Sequence, residues 1–276
     1  MEDQSDDLPL FAGRHYSLGR LNSGLTGSRV LSDVDFATPW ELFDLVKLDA
    51  AQVWALAGGS SVEEGIVLLD GTVEIETGEI ETGEIELEGK ISSVAAPATV
   101  LFPVGKSSSL RTVGSGAVRL LHVQVGLKST DQARRALQVE AVDVAQLKWR
   151  DAIHGGSGRI ATRHIWGPAD FSSSWTFMDH AVLGPQGSVG YHYHDALEEC
   201  FVVLSGRGFM SVDDQTFAVG PRSVTWQGIG QAHGLYNPHD EPLDFLRIAV
   251  AQPNEQYTTI DLHDDLTGRR PNGQKD

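Results

Sequence analysis

The sequence predicts an all-β protein with two domains, and three observations support this fold class. Short runs rich in Val, Ile, Leu, Phe and Thr recur along the whole chain and are bounded by Gly, Asp and Ser. Many short strands at such spacing are typical of a β-sandwich or a β-barrel. The length of 276 residues is about twice that of a typical domain. The hydrophobic content of 41% is sufficient for packed cores and excludes a disordered chain.

The predicted strands occupy both halves, with one helix between them. The clearest strands are residues 65–70, 99–104, 118–125, 175–183, 200–204, 222–226 and 243–251. Residues 130–139, near the midpoint, are the best helical candidate because Thr130 can cap the segment that follows it. The unit Glu-Ile-Glu-Thr-Gly occurs twice in tandem from Glu74 onward. This alternation predicts a lengthened hairpin with its glutamates in water.

The charge and cysteine content exclude several classes of protein. Thirty-eight acidic and 21 basic residues give a net charge of −17, which repels phosphate backbones and anionic lipids. We therefore expect no nucleic-acid partner and no membrane association. Cys200 is the single cysteine, so a disulfide framework or thiolate zinc site within the chain is excluded. The acidic N-terminus and the absence of a long apolar run predict a soluble cytoplasmic protein.

The second half carries the residues that predict a metal site. Eight of the ten histidines lie from His154 onward. His192 and His194 are two apart, so on a strand both imidazoles face the same side. Glu199 follows at the start of an apolar strand, and His233 comes from a later one. Three imidazoles and a carboxylate suit Fe(II), Mn, Ni, Zn or Cu, with open positions for substrate or oxygen.

These residues resemble the cupin family in their spacing. The first cupin motif, G-x5-HxH-x3,4-E-x6-G, is matched from His192 to Gly206, with Gln186 where its leading Gly stands. The second motif, G-x5-PxG-x2-H-x3-N, is matched from Gly228 to Asn237, with Gly228 where the family has Pro. The resemblance implies four metal ligands, His192, His194, Glu199 and His233. It implies that Asn237 fixes the loop.

The first half is similar to a cupin that has lost its ligands. Glu64 and Gly71 repeat the spacing of the glutamate and glycine of the intact motif, but Ala57 and Gly59 replace the two histidines. Ser108 replaces the third histidine, and a threonine, Thr112, stands at the asparagine position. The resemblance implies two tandem jelly-roll (double-stranded β-helix) barrels. The expected domains are a metal-free cupin over 1–128, a linker with a short helix over 129–160, and a metal-binding cupin over 161–276.

Other side chains have two interpretations each. Glu199 can leave the metal and act as a proton acceptor. His180, on the preceding strand, can serve as a base near the metal or point outward. Glu198 is the alternative carboxylate ligand, but only Glu199 keeps the six-residue interval to Gly206, so we expect Glu198 in solvent. Strand alternation turns Cys200 away from the site, as a buried structural thiol.

Four residues are candidates for the substrate pocket. Phe201, Val203 and Met210 are expected to form or underlie its apolar wall. Arg247, on the last long strand, can hold a substrate carboxylate or lie on the surface. The partner expected at this pocket is a small molecule.

The leading functional hypothesis is a non-haem metal-dependent enzyme acting on a small polar organic acid or oxygenated metabolite. The resemblance implies one divalent metal per chain, with Fe(II) favoured and Mn(II), Ni(II) or Zn(II) as alternatives. It favours an Fe(II) oxygenase; a redox-neutral isomerase, lyase or hydrolase and a non-catalytic metal or small-molecule binding protein are the other hypotheses. The metal-free first barrel predicts a homodimer, with much of the interface formed by residues before Gly126.

Overall fold

A computed structural model describes residues 15–17, 26–32, 36–81, 84–128 and 136–271, with side chains for 36–78, 92–128 and 136–271. The described residues are almost entirely β-strand and form two compact units. The first comprises the described parts of 21–142 and 169–175; the second comprises those of 1–20, 143–168 and 176–276. Each unit contains two antiparallel sheets, as expected for a jelly roll, and is called the first or second barrel below.

The first barrel contains ten of the described strands. They are β2 (Thr26–Ser32), β3 (Trp40–Leu48), β4 (Val53–Leu56), β5 (Val62–Asp70), β6 (Thr72–Glu81), β7 (Glu84–Ala95), β8 (Ala98–Leu101), β9 (Ser107–Val113), β10 (Val118–Gly126) and β11 (Gln138–Ala141). One sheet has the order β11-β8-β5-β10-β3-β2, and the other has the order β4-β9-β6-β7. The Glu-Ile repeat lies in the paired strands β6 and β7, so the predicted hairpin is confirmed.

The second barrel contains the other twelve described strands. They are β1 (His15–Ser17), β12 (Lys148–Asp151), β13 (Arg159–Trp166), β14 (Trp175–Leu183), β15 (Ser188–His194), β16 (Leu197–Ser205), β17 (Gly208–Val212), β18 (Gln215–Val219), β19 (Ser223–Gln227), β20 (His233–Tyr236), β21 (Leu243–Ala251) and β22 (Thr259–Asp261). The larger sheet has the order β1-β19-β16-β21-β14-β13-β12. The smaller has the order β18-β17-β20-β15-β22.

Strand alternation places the core of the second barrel between its two sheets. Phe201 and Val203 of β16 join Leu243 and Phe245 of β21 in one buried cluster, which also contains Met210. The side chains between them in sequence face the other side of the larger sheet. Those side chains are also buried, as the apolar residues at alternate positions of β16 and β21 show.

The predicted helix over 130–139 is wrong where the structure describes it. Gln138 and Val139 belong to β11, which pairs with β8, while residues 129–135 lie outside the described part of the chain. Sheet pairing overrides the local helix propensity at this position. The helical residues that the structure does describe form one 3-10 turn, Val144–Gln146, capped by the Asp143 carboxylate. No helix among the described residues is long and apolar enough to cross a lipid bilayer.

The register of the central strands shows the same internal repeat as the motifs. In the first barrel Glu64 of β5 lies opposite Gln124 of β10. In the second barrel Glu199 of β16 lies opposite Ala249 of β21. The two glutamates are 135 positions apart, and their partners are 125 apart, the same distance that separates Ser108 from His233 in the second motif. By the same register His122 is the counterpart of Arg247.

Candidate metal centre

Three strands bring four potential ligands together in the second barrel. His192 and His194 lie on the same side of β15, and His192 pairs in register with His233 of β20. Glu199 enters from β16 in the facing sheet. The ligand atoms of these four buried residues all lie within 4.8 Å of one another. The local strand geometry thus produces the cluster that the motif spacing implied.

Backbone carbonyls fix the orientation of two of the imidazoles. Nδ1–H of His192 donates to the carbonyl of Gly190 at 2.7 Å, and Nδ1–H of His233 donates to the carbonyl of Gln231 at 2.9 Å. Each Nε2 then presents a lone pair toward the centre. Thr259 Oγ1 lies 3.1 Å from Nδ1 of His194 and supports the third ring.

The fit of a cation follows from this orientation. Nε2 of His233 lies 3.1 Å from Oε2 of Glu199, and Nε2 of His194 lies 3.3 Å from the same oxygen. Two acceptors cannot bond to each other, so a shared cation, either a proton or a metal ion, is needed between them. Nε2 of His192 is buried with no hydrogen-bond partner at all. A divalent ion bound by all four residues satisfies every one of these atoms.

Electrostatics keep two of the ligands ready for a metal. Burial, with the neighbouring His233 and His154, lowers the pKa of His192 to about 2, so this imidazole is neutral at physiological pH. Burial alone raises the pKa of Glu199, but the charge of Arg247 and the contacts with His194 and His233 hold it well below its usual value. A neutral imidazole and an ionised carboxylate are the forms that bind metal.

Arg247 is part of the site rather than the surface. Its guanidinium donates to Asp179 at 2.7 Å and lies 3.5 Å from Oε1 of Glu199. The side chain is 9% exposed and packs over the ring of Phe177 at 5.2 Å. His164 bonds to the other oxygen of Asp179. Arg247 therefore supplies a fixed positive charge beside the metal ligands.

His154 also belongs to this site, and the sequence motifs did not reveal it. Its ring stacks on that of His192 with centroids 4.0 Å apart. Burial and the positive charge of Arg247 lower the pKa of His154 to about 4, so the ring is neutral at pH 7. The loop can approach β15 because Gly190 has no side chain; a Cβ there would lie 1.9 Å from the His154 carbonyl oxygen. A histidine followed by two glycines was the only local signal.

A small apolar cluster also adjoins the site. Phe177, Leu197 and Ala249 are buried together, with Tyr257 and Ala251 packed against them. The Tyr257 ring lies edge-on to His194, with centroids 5.7 Å apart. Burial and the charge of Glu199 raise the pKa of the Tyr257 hydroxyl, so it stays protonated at neutral pH.

The predicted apolar wall is only partly at the metal centre. Phe201 lies beside His233, with ring centroids 5.9 Å apart. Val203 and Met210 belong, like Phe201, to the buried core cluster that also contains Phe245. Their role as residues that form or underlie the pocket wall stays a prediction.

His180, offered as a base, faces away from the metal centre. It alternates with Asp179 along β14, and its Nε2 lies 2.8 Å from Asp244 on the other side of the sheet. The expectation for Glu198 is also corrected: the residue faces away from Glu199 but is 1% exposed, not solvated. Cys200 is fully buried on that same side, and burial raises the pKa of its thiol well above the usual value.

Asn237 holds the loops near the end of β20, as the motif implied. Its Nδ2 donates to the carbonyl of Glu241 at 2.8 Å and to that of Gly184 at 3.1 Å. Its Oδ1 accepts from the backbone of His239 at 3.0 Å. The side chain is fully buried and makes no contact with the metal ligands.

The first barrel keeps the glutamate but satisfies it internally. Glu64 accepts from His122 at 3.1 Å and from Gln124. Burial opposes its ionisation, but these bonds and the charge of His122 hold its pKa below the usual value. Ser108, at the position of the third histidine, is buried with its hydroxyl unpaired. Among the residues with described side chains, a group of three or more His, Cys, Asp or Glu ligand atoms that could hold a metal ion occurs only in the second barrel.

Comparison with known proteins agrees with the site and the fold. A family profile described as "Cupin domain" matches residues 179–249, which hold all four potential ligands. This segment of the second barrel is therefore identified as a cupin domain. A curated relative of the chain is the "Oxalate-binding protein" of Thermotoga maritima, 22% identical over 98 residues, which are 36% of the chain and 81% of the relative.

Solved structures resemble the chain over both barrels. A structure of Bacillus subtilis oxalate decarboxylase, titled for its Mn(II) centres, has a TM-score of 0.58 at 14% identity and covers 93% of this chain and 81% of its own. The formate complex of Lactobacillus farciminis oxalate decarboxylase also has a TM-score of 0.58, at 15% identity, covering 93% and 90%. At these identities the likeness concerns the two-barrel fold alone.

Proposed function

We propose that the second barrel is the active site of a metal-dependent enzyme that acts on a small organic acid. His192, His194, Glu199 and His233 hold one divalent ion. The observation that carries the proposal is the arrangement of Nε2 of His233 and Oε2 of Glu199, two acceptors 3.1 Å apart in a buried site. A bound ion supplies Lewis-acid polarisation of the substrate oxygens.

The charge beside the ligands supports an acidic substrate. Arg247 is a buried cation that stays protonated, because the charges of Glu199 and Asp179 raise its pKa against the effect of burial. Once a metal shares the charge of Glu199, the site gains positive potential and attracts carboxylates. The apolar cluster of Phe177, Leu197 and Tyr257 limits water at the site and so strengthens these interactions.

The chain's own residues can also move a proton. Glu199 is ionised at neutral pH and can accept a proton when it leaves the metal. The Tyr257 hydroxyl, protonated at neutral pH, can donate a hydrogen bond to an anionic substrate. The donor set suits both Fe(II), which the resemblance favours, and Mn(II), the ion named for the Bacillus decarboxylase. An Fe(II) oxygenase and a redox-neutral lyase therefore remain two forms of the same proposal.

A metal-dependent binding protein is the second candidate, because the Thermotoga relative is named for binding oxalate. Turnover separates the two. The protein is stripped of metal, reloaded anaerobically with Fe(II), Mn(II) or Zn(II), and offered a panel of small mono- and dicarboxylic acids. Oxygen uptake with Fe(II) identifies the oxygenase, and carbon dioxide release or isomer formation without oxygen identifies the redox-neutral enzyme. Saturable acid binding without turnover favours the binding protein, and failure to bind any divalent metal overturns the proposal.

A further inference from the structure

Three hydroxyl and amide atoms of β19, in the second barrel, have no hydrogen-bond partner. They are Oγ1 of Thr225 and both amide atoms, Oε1 and Nε2, of Gln227. Each of the two residues is only 1% exposed. Buried polar atoms in proteins are nearly always bonded, and leaving one unpaired is unfavourable. Three unpaired atoms on two alternate residues of a single strand therefore need an explanation.

The register of β19 aims both side chains at the metal centre. Gln227 lies directly opposite Glu199, and Thr225 lies directly opposite Phe201. Opposed residues of antiparallel strands face the same side of the sheet. Glu199 is a potential ligand, and Phe201 contacts the ring of His233. The unpaired atoms therefore face the interior beside the metal ligands.

Buried hydroxyl and amide groups elsewhere in this barrel have partners. Thr216 and Ser211 bond to each other at 2.9 Å, and Ser223 accepts from the backbone of Gly220 at 3.0 Å. Asn237 uses both its oxygen and its nitrogen. Among such side chains described in the second barrel, only Thr225 and Gln227 lack partners. Among the buried hydroxyl and amide groups described in this barrel, the missing partners thus lie on the face that adjoins the metal centre.

We propose that Gln227 and Thr225 position the substrate, and that this substrate is a small acid bearing a hydroxyl group beside its carboxylate. The inference rests on the proposed function. A carboxylate only accepts hydrogen bonds, so it satisfies Nε2 of Gln227 and the hydroxyl of Thr225 but leaves Oε1 of Gln227 unpaired. An O–H group on the ligand supplies the donor that Oε1 needs. Fully ionised oxalate has no such donor.

The test compares two probes, glycolate and oxalate, on the full chain loaded with Mn(II). Calorimetry gives the dissociation constant of each acid, and the quantity of interest is their ratio. The contact between acid and ion is the same in every variant, so it cancels when the ratios are compared. A change in the ratio therefore measures the contribution of the substituted side chain. We expect Gln227→Leu to weaken glycolate at least tenfold relative to oxalate, because the ligand hydroxyl loses its acceptor.

Two further variants complete the design. Thr225→Val is isosteric and is the second test if Gln227→Leu does not fold. It should weaken the binding of both acids to a similar extent, because the Thr225 hydroxyl donates to the carboxylate that both carry. The metal-free variant should melt no lower than the wild type. Thr216→Val is the matched control, since it breaks a bond between partnered hydroxyls: it should lower the melting temperature and leave the ratio unchanged.

The outcomes separate the two proposals. Failure to load Mn(II) overturns the proposed function before any acid is added. If Mn(II) binds, an unchanged ratio in Gln227→Leu, or unchanged dissociation constants for both acids in Thr225→Val, overturns the present inference alone. Binding of neither probe to the loaded wild type overturns it as well.

Discussion

Replacing Arg247 by methionine tests the electrostatic design of the metal centre. Methionine keeps most of the side-chain volume and the packing on Phe177 but removes the charge. Asp179 and Glu199 then lose their common partner, which stands 2.7 Å from one and 3.5 Å from the other. We expect the metal-free protein to be less stable, because two buried carboxylates lose their compensating cation.

The magnitude follows from the burial of the pair. Removing one member of a buried ion pair costs roughly 3–5 kcal/mol. Asp179 retains its bond to His164, so we expect the lower end, about 3 kcal/mol. At about 2–4 °C per kcal/mol for a chain of this size, the second-barrel transition should fall by about 6–12 °C. Thermal unfolding followed by near-ultraviolet circular dichroism in the presence of a chelator measures this shift.

Arg269→Met is the matched control. Arg269 also donates to an aspartate, Asp264, at 2.7 Å, but the two side chains are 33% and 42% exposed. Exposed pairs contribute about 1 kcal/mol or less, so its transition should move by only a few degrees. Added Mn(II) should raise the melting temperature more in Arg247→Met than in the wild type, because the ion replaces the lost charge beside Glu199. A midpoint for Arg247→Met within about 2 °C of Arg269→Met would refute the reasoning.

Three further predictions follow from the two barrels. Elemental analysis should find about one divalent ion per chain, and two ions per chain would contradict the prediction that only the second barrel binds a metal. His194→Ala should bind no ion but keep the circular dichroism spectrum of the wild-type β-sheet. Glu64→Gln should lower the free energy of unfolding at pH 7. Because the pKa of Glu64 is depressed in the folded state, the difference in stability between wild type and variant should disappear as the pH falls below 4.5 and through that pKa. Urea midpoints across this range measure the difference, and a difference that does not change with pH would count against the contact with His122. Light scattering should give twice the 29.9 kDa mass of one chain, and a monomer would end the homodimer prediction.

The cluster of potential metal ligands could be predicted from the sequence because its geometry is local. Two histidines on alternate positions of one strand must share a face, and Glu199 lies only five residues beyond His194. His233 needed the second motif to be recognised. The internal repeat could also be predicted, because the interval from Glu64 to Gly71 equals that from Glu199 to Gly206, although the histidines are absent from the first barrel.

His154 could not be predicted, because its position depends on the path of a loop across β15. Its approach is set by the missing side chain of Gly190, a long-range contact with no periodic signal. The burial of Glu198 was missed for a related reason: strand alternation gives the face of a residue but not whether something covers that face. The helix over 130–139 failed where pairing of β11 with β8 outweighed the local pattern.

The internal satisfaction of Glu64 has an evolutionary consequence. A histidine restored at 57, 59 or 108 would meet a carboxylate that His122 and Gln124 already engage, so one substitution by itself would not rebuild a metal site. Several changes would have to accumulate before selection could favour any of them. A return of metal binding to the first barrel is therefore improbable, and we expect descendants of this gene to keep the potential metal site in the second barrel.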